Sequence, residues 1–312
     1  MIVTAAGSLP GDDFRGALGA MREVLPELLP MPELPGRGVE SGMIGRTLGL
    51  IEGLSFDLQP AGWRLTSHSD AAHRRAKAAW RRDLDDLEEL LQGFDGTLKI
   101  ALAGPWTLAA TVERPAGDRL LADHGARREV RAALLEGIVS LRESLARRLP
   151  SVEIRWQTDE PCLPAVRDAQ IPTASGFSKH RRVDLPELRD ALRPFSRSIL
   201  HCCMGGDWVQ LAREAGFEQV YVDAHFADID ELGAHVDAGG QVVLGVVDTS
   251  LPARQPADRL VDAARRVTRE LGVGDWLTLA PACGLAGWPQ GDVVWQLGQL
   301  RRAAALLDAD RD

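Results

Sequence analysis

Short apolar runs recur along the chain, each closed by a polar or turn-forming residue and usually followed by a longer amphipathic stretch. Ile2 to Gly7, Gly53 to Leu58, Leu98 to Gly104, Glu153 to Glu160, Ser198 to Met204, Gln219 to His225, Gln241 to Asp248 and Trp276 to Cys283 read as eight strands. Helical patterns lie between them. Ala71 to Leu91 is rich in Ala, Arg, Leu and Glu, and in Ala126 to Arg148 the residues Leu134, Leu135, Ile138, Leu141 and Leu145 recur at helical spacing. Strands alternating with helices imply a parallel sheet, and eight such units predict an α/β fold of the TIM (β/α)8 barrel class, in one domain over residues 1–312. Gly and Pro are dense between Met31 and Gly45 and between Pro105 and Asp118, which predicts long loops after the first and third strands.

Composition narrows the function. The chain has 312 residues, 45% of them hydrophobic and 26% charged, enough to bury a large core. Its 45 acidic and 36 basic residues give a formal charge of -9 with no basic cluster, so nucleic acid is not an expected partner. The start reads as no signal peptide, and no uncharged apolar run is long enough to span a bilayer, so the expected class is a soluble cytoplasmic enzyme without a membrane partner. The four cysteines include an adjacent pair, Cys202 and Cys203, which does not suit a disulfide framework.

In a parallel barrel the active site lies at the C-terminal strand ends. Here those ends carry Gln157-Thr158-Asp159-Glu160-Pro161, His201-Cys202-Cys203, Asp223, Asp248 and Cys283. Residues two apart on a strand face the same side, so His201 and Cys203 both face the axis while Cys202 points toward the helices. His201, Cys203 and Cys283, with an oxygen from Asp223, make a donor set that zinc prefers. Such a zinc deprotonates a bound thiol, so a small-molecule thiol is the expected substrate. Asp159 and Glu160 suit a substrate ammonium group, and the turn Gly7-Ser8-Leu9-Pro10-Gly11 suits substrate orientation. Cys162 and Cys202 read as core, and His225 as an exposed loop histidine.

These residues resemble those of cobalamin-independent methionine synthase. His201-x-Cys203, a carboxylate near the end of the next strand and Pro281-Ala282-Cys283-Gly284-Leu285 are similar to that family's zinc-binding strands. Gln157 to Pro161 is similar to its strand ending in Asp-Glu-Pro, and Gly7-Ser8-Leu9-Pro10 resembles its first substrate loop. The matches run in order from residue 7 to residue 285. The resemblance implies zinc on His201, Cys203 and Cys283, with Asp223 where the family has glutamate. It implies Ser8 near the carboxylate of bound homocysteine, Asp159 on its ammonium group, and methylation of its sulfur to give methionine.

The chain departs from the family in several places. The family enzyme is about twice as long. Asp248 stands where strand seven carries a proton-moving histidine, and joins Asp159 as a candidate catalytic residue. The acid expected in the loop after strand one is replaced near Met43-Ile44-Gly45. The folate-stacking tryptophan has no clear counterpart in Gly104-Pro105-Trp106-Thr107 and the residues after it. The expected methyl donor is therefore either methyltetrahydrofolate or a methylcorrinoid protein. Two other readings compete: a metal-free barrel like uroporphyrinogen decarboxylase, and a noncatalytic zinc- or homocysteine-binding protein.

Overall fold

The computed structural model describes residues 1–309. Ten strands form: β1 (Ile2–Val3), β2 (Leu28–Pro30), β3 (Ser55–Gln59), β4 (Gly62–Thr66), β5 (Thr97–Ala103), β6 (Glu153–Asp159), β7 (Ile199–Cys202), β8 (Gln219–Asp223), β9 (Gln241–Val247) and β10 (Leu277–Pro281). The helices are α1 (Phe14–Val24), α2 (Met43–Leu48), α3 (Ala71–Leu90), α4 (Pro105–Thr111), α5 (His124–Arg148), α6 (Leu163–Arg167), α7 (Leu185–Leu192), α8 (Val209–Ala215), α9 (Ile229–Asp237), α10 (Ala257–Leu271) and α11 (Gln290–Ala309).

Eight strands pair in parallel in the order β1-β10-β9-β8-β7-β6-β5-β2 and wrap into a nearly closed barrel with the helices around it. The first and last strands of that order meet through a side chain and a bridge. The Thr4 hydroxyl donates to the Leu28 carbonyl at 2.9 Å, and Ser8 forms a parallel bridge with Glu33. Ala6, Ile199, Tyr221, Val243 and Ala280 form one buried layer of the barrel interior. Asp13, Asp70, Asp123 and Asp228 start α1, α3, α5 and α9 by accepting first-turn backbone N–H groups that would otherwise be orphaned.

The strand expected over Gly53 to Leu58 does not belong to the barrel. Ser55–Gln59 instead pairs antiparallel with Gly62–Thr66 as a hairpin beside it. The second barrel strand is the shorter Leu28–Pro30, which pairs with Thr97–Lys99. The long loop from Met31 therefore follows the second strand, not the first. Among the described residues no helix is long and apolar enough to cross a membrane.

Candidate functional site

At the C-terminal end of the barrel a pocket of about 310 Å³ is lined by Ser8, Glu33, Asp159, His201, Cys203 and Cys283, with Met43, Pro161 and the Gly284–Gly287 loop among its other walls. Parallel pairing accounts for this convergence. Asp159 is registered beside His201 on β6 and β7, and Cys203 follows β7 while Cys283 follows β10. The Ser8–Glu33 bridge carries both residues to the same rim. The loop after β10 closes on Ser8: the Leu285 amide donates to the Ser8 carbonyl at 2.8 Å. A Cβ on Gly284 would fall 2.7 Å from the Ser8 Cβ, so this approach needs glycine.

The Cys203 and Cys283 thiols line the same pocket and interact with each other. That interaction, with the charge of nearby His201, lowers the Cys283 pKa to about 6, while Cys203 is pushed up. His201 is buried, with Nδ1 2.8 Å from Oδ1 of Asp159 and Nε2 3.4 Å from the Ala282 carbonyl. Its ring stacks on Tyr221 at 4.1 Å, and the Tyr221 hydroxyl donates to the Pro281 carbonyl. Burial opposes charging of His201, but the hydrogen bond and charge of Asp159, with the charge of Cys283, carry its pKa above the ordinary histidine value. Cys202 is core, and burial raises it to about 12.

Glu33 is a site residue that the sequence pattern does not single out. It lies buried on the pocket wall beside Ser8, with which it forms the backbone bridge. Burial raises its pKa to about 7, against the opposing charge of Arg46 and with help from Asp159. Arg46 is itself buried, donates to the Ala101 carbonyl at 2.6 Å and lies 4.2 Å from the Trp80 ring. Glu33, after the second strand, and Met43 line the same pocket. The available signal was a lone carboxylate between Pro32 and Leu34 in an otherwise apolar strand extension.

Three expected site residues lie elsewhere. Glu160 is fully buried and accepts the Trp106 amide at 2.9 Å and the Thr107 amide and hydroxyl at 2.7 Å each, capping the start of α4. A Cβ on Gly104 would meet it at 2.4 Å, so glycine there admits the carboxylate under the helix. Asp223 and Asp248 line a separate cleft of about 790 Å³ walled by α10. On β8 the axial space is taken by Tyr221, and Asp223 at the strand end accepts the His225 amide at 2.8 Å. Asp248 is exposed and accepts the Ser250 amide and hydroxyl. Trp106 is also withdrawn: it is buried, with its ring N–H donating to the Leu188 carbonyl at 3.1 Å.

The donor set suits zinc in kind. Two thiols and an imidazole are zinc ligands, and Asp159 on Nδ1 is the partner a ligating histidine needs, leaving Nε2 for the metal. As they stand, no three His, Cys, Asp or Glu side chains among the described residues form a group that could hold a metal ion. Metal uptake would displace the contact between Nε2 and Ala282 and expel the thiol protons.

No protein-family model and no curated sequence matches the chain. Its fold is similar to that of a B12-independent methionine synthase from Shewanella sp. W3-18-1 in complex with selenomethionine, with TM-score 0.67 and 14% identity, over 99% of this chain and 98% of that one. It is also similar to a Listeria monocytogenes protein described as a vitamin-B12-independent methionine synthase, with TM-score 0.62 and 13% identity, over 99% and 97% of the two chains.

Proposed function

We propose that this chain transfers a methyl group to the sulfur of an amino-acid thiol, homocysteine giving methionine, with zinc on His201, Cys203 and Cys283. The observation that carries this reading is the meeting of two thiols, the His201–Asp159 pair and the buried Glu33 carboxylate on one small pocket. The fold shared with proteins described as methionine synthases, one of them in complex with selenomethionine, supports an amino-acid ligand of this size.

Bound zinc would supply one thing, a thiol deprotonated at neutral pH. The side chains bind and orient. Glu33 and Asp159 pair with the substrate ammonium group, while Ser8 and the Gly284–Gly287 loop face its carboxylate end. Met43, Pro161 and Ala101 wall the pocket and exclude water. The thiolate sulfur forms its bond to the methyl carbon as the donor's bond to that carbon breaks and the electron pair leaves with the demethylated donor, so alignment supplies most of the rate and no covalent enzyme intermediate is needed.

No Phe, Tyr or Trp lines the pocket among the described residues, so a pterin ring would find no benzenoid or indole stacking partner on its walls. The test therefore offers homocysteine with methyltetrahydrofolate and, separately, with a methylcorrinoid protein, and measures methionine. Methionine from either donor supports the proposal. Homocysteine binding without product from any methyl donor would favour the noncatalytic binding protein, a reading that the outward position of Asp248 also favours.

A further inference from the structure

Beneath the pocket the barrel interior holds two polar side chains, Lys99 and Gln157, that the proposed chemistry does not use. Lys99 on β5 is 1% exposed, and its ammonium donates to the Ala6 carbonyl at 3.2 Å and to Oε1 of Gln157. Gln157 is equally buried, and its Nε2 donates to the Ala6 carbonyl at 3.1 Å and to Oδ1 of Asp159 at 2.7 Å. That same Oδ1 accepts from Nδ1 of His201 at 2.8 Å. Lys99 has no carboxylate within ion-pair reach among the described residues, and burial pulls its pKa down to about 7. Packing does not explain such a residue, because an apolar side chain would fill the same space without desolvating an amine.

Donor chemistry sets the direction of these hydrogen bonds. Lys99 donates to two carbonyl oxygens, as either its ammonium or its amine form can, so Gln157 turns its oxygen to Lys99 and its NH₂ toward Asp159. Oδ1 of Asp159 is then held from two sides, by Gln157 and by His201, which leaves Oδ2 for the pocket that Asp159 lines. We propose that Lys99 is a positioning residue: acting through Gln157, it holds Asp159 so that one carboxylate oxygen fixes His201 and the other meets the substrate ammonium group. This inference rests on reading the pocket as a site for an amino-acid thiol.

The test compares wild type with Lys99→Met and Gln157→Leu by calorimetric titration with L-homocysteine and with γ-mercaptobutyric acid, which keeps the thiol and carboxylate but lacks the ammonium group. Both variants are expected to bind homocysteine about tenfold more weakly and to bind the des-amino thiol as wild type does. Unchanged homocysteine affinity in Lys99→Met, or an equal loss for both ligands, would overturn the proposal.

A second readout needs no ligand. The His201 Nδ1–H resonance, identified by its loss in His201→Gln, should move in both variants, and an unmoved resonance would overturn the proposal. If wild type binds neither thiol, the proposed function fails, and the resonance still decides the role of Lys99. Thermal melting checks folding, and if Lys99→Met does not fold, Gln157→Leu decides alone.

Discussion

Nδ1 of His201 lies 2.8 Å from Oδ1 of Asp159, so the imidazole suited to hold a metal and a carboxylate facing the pocket share one hydrogen bond. Removing the charge of Asp159 should therefore be felt twice. Asp159→Asn is expected to weaken zinc binding about tenfold or more, as loss of a ligand's supporting partner does, and to weaken homocysteine binding as well. Chelator competition and calorimetry check the two effects separately, and a loss of homocysteine affinity alone would detach Asp159 from the metal.

Glu33 should make ligand binding depend on pH. Burial puts its folded-state pKa near 7, above the ordinary carboxylate value. Below that value it is neutral and attracts an ammonium group weakly; above it the carboxylate is charged. Affinity for L-methionine, a probe without a titrating thiol, should rise up to about tenfold from about pH 6 to about pH 8, and Glu33→Gln should flatten the rise. Linkage runs the other way for stability. The folded chain holds this proton more tightly than the unfolded chain, so the contribution of Glu33 is full below the ordinary carboxylate pKa and is lost as pH rises toward 7. Melting temperatures of wild type and Glu33→Gln across that range check the sign.

Glu160 should matter to the fold and not to the ligand. It accepts three hydrogen bonds at the start of α4, and a glutamine amide would turn a donor against one of these donors. Glu160→Gln is expected to lose about 1–3 kcal/mol of stability, read by denaturant unfolding, with homocysteine affinity unchanged. A loss of affinity without a loss of stability would return Glu160 to the pocket.

Asp223 and Asp248 open on the cleft beside α10, away from the thiols. Asp223→Asn and Asp248→Asn should each keep the wild-type zinc content, measured by elemental analysis. Zinc loss in Asp223→Asn would show that β8 supplies a ligand after all.

What the sequence made legible follows from how strongly each element is patterned. Gln241 to Asp248 and Leu98 to Gly104 have cores, Val242–Val247 and Ile100–Ala103, that are apolar and buried on both faces, and they read as strands unaided. Leu28–Pro30 is three residues among prolines, too short for a period, whereas Ser55–Gln59 is a true strand whose hairpin partner takes it out of the barrel. The order of strand ends brought His201, Cys203, Cys283, Asp159 and Ser8 to one pocket. Hydropathy could not show that Lys99, inside Thr97-Leu98-Lys99-Ile100, faces the barrel interior, since a lysine in an apolar strand reads as a solvent position. Nor could it show that Asp223, at the end of β8, opens on a separate cleft.

The account turns on whether His201, Cys203 and Cys283 hold zinc, and metal content tests that most directly. Protein purified under reducing conditions and reconstituted with zinc should carry about one zinc per chain, lost in Cys203→Ser and in Cys283→Ser. A wild-type chain that takes up no zinc after reconstitution, or variants that keep it, would contradict the account and leave the two thiols without the role proposed for them.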